Sequence, residues 1–258
     1  MSKITTFMAL KSIIYIFFGV CLIYSCTQDK SPVKSKKNNV NLPINYDSIV
    51  CEENDTCLLE KKLIENGLVD IKTVVPDIFI DLRYSTSNNF MKMDLYGDLS
   101  RIYIQPKVAE KIKLAQSILK TMDSTLSLLV FDCVRPLSVQ KQMWDTVKMP
   151  NWKKIKFLSN PALGSVHNYG AAVDISICTL DGKELDMGTP YDDTASLAYP
   201  TMENFYLANG KLTKQQLNNR QKLRAAMYKA GFFGIQTEWW HFNACTREAA
   251  MSLYKRID

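Results

Sequence analysis

The stretch SVHNYGAAVDISI covers residues 165–177, and its second half alternates apolar side chains with small or polar ones. Successive side chains of a β-strand point to opposite faces, so Asp174 is predicted to face away from an apolar layer and toward a cleft. Gly170 permits backbone conformations that bring His167 back toward the same cleft. The stretch therefore predicts a strand that carries a carboxylate, preceded by a loop that carries a histidine.

The chain contains two histidines, His167 and His241, and each lies a short distance from a carboxylate. Neutral imidazole and carboxylate are ordinary zinc ligands, and a catalytic zinc keeps three protein ligands and an open position for water. His167, Asp174 and His241 supply that set, and Glu238 remains as a carboxylate that can accept a proton from the attacking water. A single histidine is more often an ordinary polar residue, but the pairing of both with carboxylates favours a metal site.

The second histidine segment, EWWH at residues 238–241, raises a question of geometry. In a regular strand Glu238 and His241 would face opposite sides, because side chains alternate. If both serve one metal centre, the backbone must bulge or turn between them. An irregular backbone is therefore predicted at Trp239 and Trp240.

The N-terminal residues 1–25 have the pattern of a signal peptide, in which two lysines precede an apolar run over 13–24 that is too short to span a bilayer comfortably. Cys26 follows directly and resembles the processing site of bacterial lipoproteins, where the cysteine is lipidated and becomes the mature N-terminus. An uncleaved anchor is the alternative, and both interpretations place the protein outside the cytoplasm on a membrane tether. We therefore expect an exported, membrane-anchored lipoprotein of the cell envelope or periplasm.

Residues 26–50 are polar, contain two prolines and a lysine-rich segment, and are predicted to be a flexible, lipid-anchored spacer. Residues 51–258 have the length of one domain with a full hydrophobic core. The net charge is +6, and removal of Lys3 and Lys11 with the leader leaves +4. Outside the spacer this charge is diffuse, so nucleic acid is not an expected partner.

The cysteine pattern disfavours a zinc-thiolate site, because none of the seven cysteines forms a CxxC pair. Five of them follow the leader and its processing site, and the odd count requires at least one thiol that is free or paired externally. Cys51 and Cys57 flank a polar segment and are candidates for a small disulfide loop in an oxidising compartment. Spacing alone leaves that pairing open.

Secondary structure follows from apolar periodicity and from turn residues. Strands are predicted over 68–75, 78–84 and 126–133, and a helix over 106–122. Ser138 is a candidate cap for a helix that ends near residue 146. Thr213 and Gln216 form a capping-box pattern for a helix that Gly231 ends. The long connection over 180–211 is typical of a functional or mobile loop.

Taken together, these motifs resemble the zinc D-alanyl-D-alanine dipeptidases of the vancomycin-resistance type, within the wider group of zinc D,D-peptidases. The similarity includes the Ser-x-His-x6-Asp and Glu-x-Trp-His segments described above. Four further pieces occur in the order typical of the family: DLRYST with NNF at 81–90, DCVRP at 132–136, DMGTPYD at 186–192 and NR at 219–220. The pieces span roughly residues 70 to 245.

The resemblance implies an α+β fold of the D,D-peptidase and hedgehog-like type, in which helices pack on a small, mainly antiparallel sheet with one zinc ion per chain in a cleft. It implies that His167, Asp174 and His241 are the ligands and that Glu238 is the general acid and base. It also implies that Arg135 stabilises charge on the tetrahedral intermediate, which suits a fixed guanidinium beside the scissile carbonyl. A structural ion pair is the alternative role for Arg135.

Three further residues match family positions that bind substrate. Asp192 and Tyr84 match positions that hold the free ammonium of the dipeptide, and Ser165 matches one near its carboxylate. A carboxylate that captures the substrate amine makes an exopeptidase, because longer chains lack a charge there. The alternatives are a turn residue for Asp192, a half-buried strand aromatic for Tyr84, and a cap of the histidine loop for Ser165.

The resulting prediction is a zinc metallopeptidase of the cell envelope that hydrolyses D-Ala-D-Ala or a similar small D-amino-acid dipeptide. One alternative is a D,D-carboxypeptidase or endopeptidase that acts on peptidoglycan stem peptides with the same zinc chemistry. A second alternative is a non-catalytic, zinc-binding lipoprotein that binds wall fragments. The predicted catalytic pair, Glu238 and Arg135, favours an enzyme.

Overall fold

A computed structural model describes residues 57–258 of the chain. The predicted leader, Cys26, the spacer and Cys51 lie outside these residues and stay predictions. Within the described part, no helix is both long and apolar enough to cross a bilayer.

The central element is a five-stranded sheet with the order β2-β4-β5-β7-β6. Strands β2 and β4 are parallel and all other neighbours are antiparallel, while β1 and β3 form a separate antiparallel pair. The predicted α+β class with a mainly antiparallel sheet is therefore confirmed. The strands are β1 (Val69–Asp70), β2 (Phe79–Ile80), β3 (Tyr103–Ile104), β4 (Leu126–Asp132), β5 (Ala172–Thr179), β6 (Phe233–Gly234) and β7 (His241–Asn243).

Helices surround the sheet, and the two longest pack against each other and against its strands. They are α1 (Leu58–Glu65), α2 (Ile71–Val74), α3 (Pro106–Met122), α4 (Leu137–Thr146), α5 (Asn151–Lys154), α6 (Glu203–Ala208), α7 (Lys214–Lys229) and α8 (Arg247–Leu253). Helix α3 has the predicted bounds, begins with a proline and buries Val108, Ile112, Ala115 and Leu119 of its predicted apolar face, whereas Met122 at its end is exposed. Helix α7 begins with the predicted capping box and is followed by Gly231 with φ +83°.

Strand register places three polar residues side by side at one end of the sheet. Asp174 on β5 pairs with Asp132 on β4 and with His241 on β7. Residues directly opposite each other on neighbouring strands project their side chains to the same face, with Cβ atoms about 4.5–5.5 Å apart. The register therefore brings a histidine and two carboxylates from three strands to one place.

Two predicted strands are wrong in extent. Residues 68–75 form only the two-residue β1 followed by α2, because the Asp70 side chain accepts a hydrogen bond from the amide of Lys72 and caps a helical turn. Residues 78–84 form only β2, and the chain then enters a short 3-10 helix at Arg83–Ser85.

Two further details differ from the expectations. Ser138 does not cap α4, because that helix already begins at Leu137, after Pro136, and has no side-chain cap. The connection over 180–211 is not without structure, since it contains α6 and two 3-10 turns, Ser196–Ala198 and Pro200–Met202. The strand predicted over 126–133 and the helix predicted to end near residue 146 are present as β4 and α4.

Candidate active site

Three side chains converge beside the end of β5. Nε2 of His167 lies 3.1 Å from Nδ1 of His241 and 3.3 Å from Oδ1 of Asp174, and Nδ1 of His241 lies 3.0 Å from the same oxygen. All three residues are buried. Ligand atoms 2.0–2.2 Å from a tetrahedrally coordinated ion lie roughly 3.3–3.6 Å apart. The structure thus brings the three predicted ligands together as a candidate metal site.

The outward nitrogen of each imidazole is occupied by a hydrogen-bond partner. Nδ1 of His167 donates to the carbonyl oxygen of Cys133 at 2.6 Å. Nε2 of His241 donates to Oδ1 of Asn243 at 3.1 Å. Such partners fix the tautomer and orientation of metal-binding histidines. Each ring therefore presents its unprotonated nitrogen to the candidate metal site.

Sequence analysis did not identify either partner. A signal existed for Asn243, because it follows His241 by two residues in a strand and so shares its face. The partner of His167 is the backbone carbonyl of Cys133, and a pattern of side chains in the sequence does not indicate such a contact.

The loop that presents His167 is a 3-10 helix at Val166–Tyr169. The Ser165 hydroxyl accepts from the amide of His167, and the amide of Ser165 donates to Oδ1 of Asn168. Gly170 then takes a left-handed conformation with φ +62°, and a Cβ there would lie 2.6 Å from the Leu68 side chain. Both the left-handed backbone angle and the close packing therefore require glycine at position 170.

Arg135 lies beside the triad, and the structural ion pair considered as its alternative role is present. Its Nε and one terminal nitrogen donate to Oδ2 of Asp132 at 3.0 and 2.7 Å, so the structural ion pair exists. The same terminal nitrogen lies 3.3 Å from Oδ2 of Asp174. Within residues 57–258, the other terminal nitrogen has only a 3.5 Å hydrogen-bond contact, with Oε1 of Gln140. One guanidinium N–H group therefore has donor capacity left at the site.

Glu238 lies just before β7, with Oε2 at 4.0 Å from Nδ1 of His241. Trp239 and Trp240 form a bend outside the strand, which confirms the predicted irregular backbone. Burial, together with the carboxylates of Asp174 and Asp192, raises the pKa of Glu238 to about 8, although His241 and Arg135 lower it. A bent backbone thus brings a carboxyl group of unusually high pKa next to the triad.

Asp192, a half-buried residue, places a second carboxyl group at the site. Its Oδ1 accepts a hydrogen bond from the Tyr84 hydroxyl at 3.1 Å, and its Oδ2 is buried with no hydrogen-bond partner within residues 57–258. Its φ of +64° lies in the left-handed region, so the turn that was considered as an alternative is also present. Burial and the nearby Asp174 raise the pKa of Asp192 to about 7.

Two aromatic side chains support this part of the site. Tyr84 is fully buried in the 3-10 helix rather than half-buried in a strand. Sequence analysis missed Tyr191, whose hydroxyl donates to Oδ2 of Asp174 at 3.1 Å. Its position next to Asp192 in the DMGTPYD segment was the available signal.

Comparison with known proteins identifies the group to which this arrangement belongs. The sequence model of the family described as D-ala-D-ala dipeptidase matches residues 64–256, which is most of the chain and contains every site residue described above. The chain belongs to this family. It is therefore an enzyme of the dipeptidase class, and the candidate metal site agrees with a family of metallopeptidases.

Characterised members of the D-Ala-D-Ala dipeptidase family show moderate identity to the chain. The D-alanyl-D-alanine dipeptidase of Escherichia coli (strain K12) is 29% identical over 175 residues, which cover 68% of this chain and 83% of the relative. The enzyme of the same name from Enterococcus faecium is 26% identical over 194 residues, covering 69% and 92%. The one from Synechocystis is 27% identical over 176 residues, covering 57% and 71%.

A single cavity of about 350 Å³ connects the functional groups of this dipeptidase-family site. The cavity is small enough for a ligand of a few residues. It is lined by the triad, by Glu238 and Arg135, and by Tyr84, Ser165 and Asp192, so the structure brings all eight predicted site residues of the described region to one place.

Proposed function

We propose that this enzyme is a zinc-dependent dipeptidase that hydrolyses D-Ala-D-Ala or a similar small D-amino-acid dipeptide. One observation carries the proposal: a His-Asp-His triad shares a small cavity with the carboxylate of Asp192, whose Oδ2 is buried and has no hydrogen-bond partner among the described residues. A metal-binding triad supplies hydrolytic chemistry, and an unpaired carboxylate provides a seat for a free ammonium group.

The donor set fits zinc. Two imidazole nitrogens and one carboxylate oxygen are typical ligands of catalytic zinc sites, and His167, Asp174 and His241 would hold the ion and leave a position open. Hydrogen bonds to Cys133 and Asn243 prepare both imidazoles for this role. When bound, zinc supplies Lewis-acid polarisation of the scissile carbonyl and lowers the pKa of a water molecule.

Glu238 and Arg135 are suited to the proton and charge transfers of hydrolysis. The Glu238 carboxylate accepts a proton from the attacking water and passes it to the nitrogen of the leaving amino acid. Burial and the neighbouring carboxylates of Asp174 and Asp192 raise the pKa of Glu238 above that of an exposed glutamate, which makes its carboxylate a stronger base. Arg135 uses its remaining N–H group to stabilise negative charge on the carbonyl oxygen during attack.

The two ends of the dipeptide meet groups of opposite character. The substrate ammonium binds Oδ2 of Asp192, and Tyr84 holds the other oxygen of that carboxylate in place. Ser165 accepts from the His167 amide through its hydroxyl oxygen, so its own O–H group remains able to donate to the substrate carboxylate. This arrangement favours substrates in which the amine is free and only two residues are present.

A substrate panel tests the function. The purified, zinc-loaded protein is incubated with D-Ala-D-Ala, L-Ala-D-Ala, L-Ala-L-Ala and N-acetyl-D-Ala-D-Ala, and released alanine is quantified. We expect D-Ala-D-Ala to have the highest kcat/KM and chelation to abolish its hydrolysis. Preferential hydrolysis of the N-acetyl compound would show a D,D-carboxypeptidase instead. Absence of hydrolysis from all four would contradict the proposed substrate class.

We also propose that the enzyme is exported and anchored through a lipid on Cys26. The support is the sequence pattern of residues 1–26, a lysine-containing start followed by an apolar run and then the cysteine. Growth with a labelled fatty acid tests this, with the Cys26→Ala variant as control. Incorporation of label into the wild-type protein alone is expected, and equal labelling of both would contradict the proposal.

A further inference from the structure

A second cavity of about 570 Å³ lies directly beside the active-site cavity. Three residues line both cavities, namely Phe90, Phe157 and Asp192. Asp192 is also the group to which we assign the substrate amine. The second cavity therefore lies at the amine end of the proposed dipeptide, where any residue that precedes the dipeptide in a longer peptide would have to pass.

The side chains of Phe90 and Phe157 form an aromatic wall between the two cavities. Their rings meet edge to face, with centroids 6.3 Å apart and an interplanar angle of 84°. This geometry is favourable for aromatic pairs. Both residues are half-buried, and both line each of the two cavities.

The wall is held from both sides. On the Phe90 side, Nδ2 of Asn89 lies 2.7–3.0 Å from three backbone carbonyl oxygens, those of Arg83, Thr86 and Met93, and its two N–H groups are shared among them. This network fixes the turn that carries Phe90.

On the Phe157 side, two buried side chains connect the segment 154–159 to helix α4 through hydrogen bonds. Nζ of Lys154 donates to the carbonyl of Trp144 at 2.6 Å, and the Gln140 side chain donates to the carbonyl of Ser159 at 2.8 Å. These bonds bracket Phe157 on either side along the chain. The wall is therefore a built feature of the fold.

We propose that Phe90 and Phe157 determine specificity by closing the active-site cavity next to Asp192, so that dipeptides extended at their amine are excluded. The proposal rests on the proposed dipeptidase function and adds a steric element to the charge of Asp192. Removal of one ring joins the cleft to the second cavity. The class of substrate admitted is then an N-acylated D,D-dipeptide, whose acyl group occupies the second cavity.

The reaction admitted by the opened wall is an ordinary hydrolysis. Water adds across the D,D-peptide bond of N-acetyl-D-Ala-D-Ala, which gives N-acetyl-D-Ala and free D-Ala. The bond that breaks and the groups that act on it are those of the dipeptide reaction. Only the space at the amine end differs.

The test compares kcat/KM for N-acetyl-D-Ala-D-Ala and for D-Ala-D-Ala in Phe157→Ala, Phe90→Ala and the wild-type enzyme, each with its zinc content measured. We expect the ratio of the acetylated to the free substrate to rise at least tenfold in both variants. Trp152→Ala is the matched control, because this exposed aromatic lies in the same segment as Phe157 and lines neither cavity. Its ratio should equal that of the wild type.

The outcomes separate the two proposals. A wild-type enzyme that hydrolyses D-Ala-D-Ala, combined with Phe variants whose ratio stays at the wild-type value, would overturn the wall and leave the dipeptidase function intact. A wild-type enzyme that does not hydrolyse D-Ala-D-Ala would overturn the function itself. Phe157→Leu guards against loss of folding, because it keeps apolar volume and should raise the ratio by less than Phe157→Ala.

Discussion

Asn243 accepts a hydrogen bond from Nε2 of His241 at 3.1 Å, which leaves Nδ1 of the same ring 3.0 Å from Oδ1 of Asp174. The two residues lie two positions apart on β7 and share one face of the strand. A short polar residue at position 243 thus determines which imidazole nitrogen is available to a metal ion.

Asn243→Ala should weaken zinc binding by about 10–100-fold, because the His241 ring loses the partner that fixes its tautomer and orientation. Competition against a chelating dye measures the affinity. Asn243→Asp keeps an acceptor at this position and should restore most of the affinity. Asn209→Ala, at the exposed end of α6, serves as control. An alanine variant with wild-type affinity would remove Asn243 from the support of the site.

Glu238→Gln should keep zinc but lose about 10²–10⁴-fold in kcat, the usual effect of removing a general base. The amide has the same shape as the carboxyl group and cannot accept the proton of water. Stopped assays with D-Ala-D-Ala and metal analysis of the same sample measure the two properties together. Glu110→Gln, which alters an exposed carboxylate on α3 outside the active-site cavity, should match the wild type. Unchanged turnover in Glu238→Gln would exclude this residue from the mechanism.

Zinc binding at pH 7 should release a proton from Glu238. Because its pKa in the metal-free protein is about 8, the carboxyl group is mostly protonated at pH 7. A divalent cation nearby favours the charged form and so lowers this pKa. Calorimetry in two buffers of different ionisation enthalpy counts the protons released. Glu238→Gln should release about one proton fewer than the wild type, and an equal count would contradict the assignment.

Asp192→Asn should raise KM for D-Ala-D-Ala by about 10–100-fold, since a charge-assisted hydrogen bond to the ammonium is worth about 1.5–3 kcal/mol. Asp193→Asn removes the adjacent carboxylate, which accepts only from a backbone amide, and is the control. The pH profile provides a second readout. Because the pKa of Asp192 is raised to about 7, the carboxylate protonates as the pH falls through that range, and wild-type kcat/KM should decrease there. A profile that is flat between pH 8 and pH 6 would contradict the raised pKa of Asp192, and an unchanged KM in Asp192→Asn would contradict ammonium capture.

The parts of the site that the sequence predicted are those determined by local periodicity. Alternation in β5 places Asp174 on the face opposite the apolar layer, and a parity argument predicts the bend at residues 239–240. Both depend only on the geometry of a few consecutive residues. The capping box of α7 belongs to the same class, because Thr213 and Gln216 bond within one turn.

The parts that could not be predicted depend on contacts between distant segments. The carbonyl of Cys133 reaches His167 only because β4 and β5 are neighbours. The Phe90–Phe157 pair joins two segments that are 67 positions apart in the sequence. The predicted extents of strands β1 and β2 were wrong for a related reason. Their apolar residues pack against the core but do not form a long hydrogen-bonded ladder. The apolar sequence pattern that results from burial therefore resembles that of a longer strand.

Arg220 illustrates how a motif without an assigned role supports the site from a distance. It is buried on α7, and its Nε and one terminal nitrogen donate to the carbonyls of Met187 and Leu197. Its guanidinium also lies over the ring of Trp239, whose indole N–H donates to Thr189. One side chain thus joins the segment that leads to Asp192 with the segment that follows Glu238.

Arg220→Met should lower the free energy of unfolding by about 2–4 kcal/mol, because the buried carbonyl of Met187 and the part-buried carbonyl of Leu197 lose their donors and the nearby Glu203 keeps only its bond to Arg224. Urea unfolding of the metal-free protein, followed by circular dichroism, measures the loss. Lys229→Met, at the exposed end of the same helix, should change stability by no more than about 0.5 kcal/mol. Glu203 retains one cationic partner, so the cost should fall below that of a fully isolated buried charge. Equal stability of the two variants would show that the segments around Asp192 and Glu238 are held without Arg220.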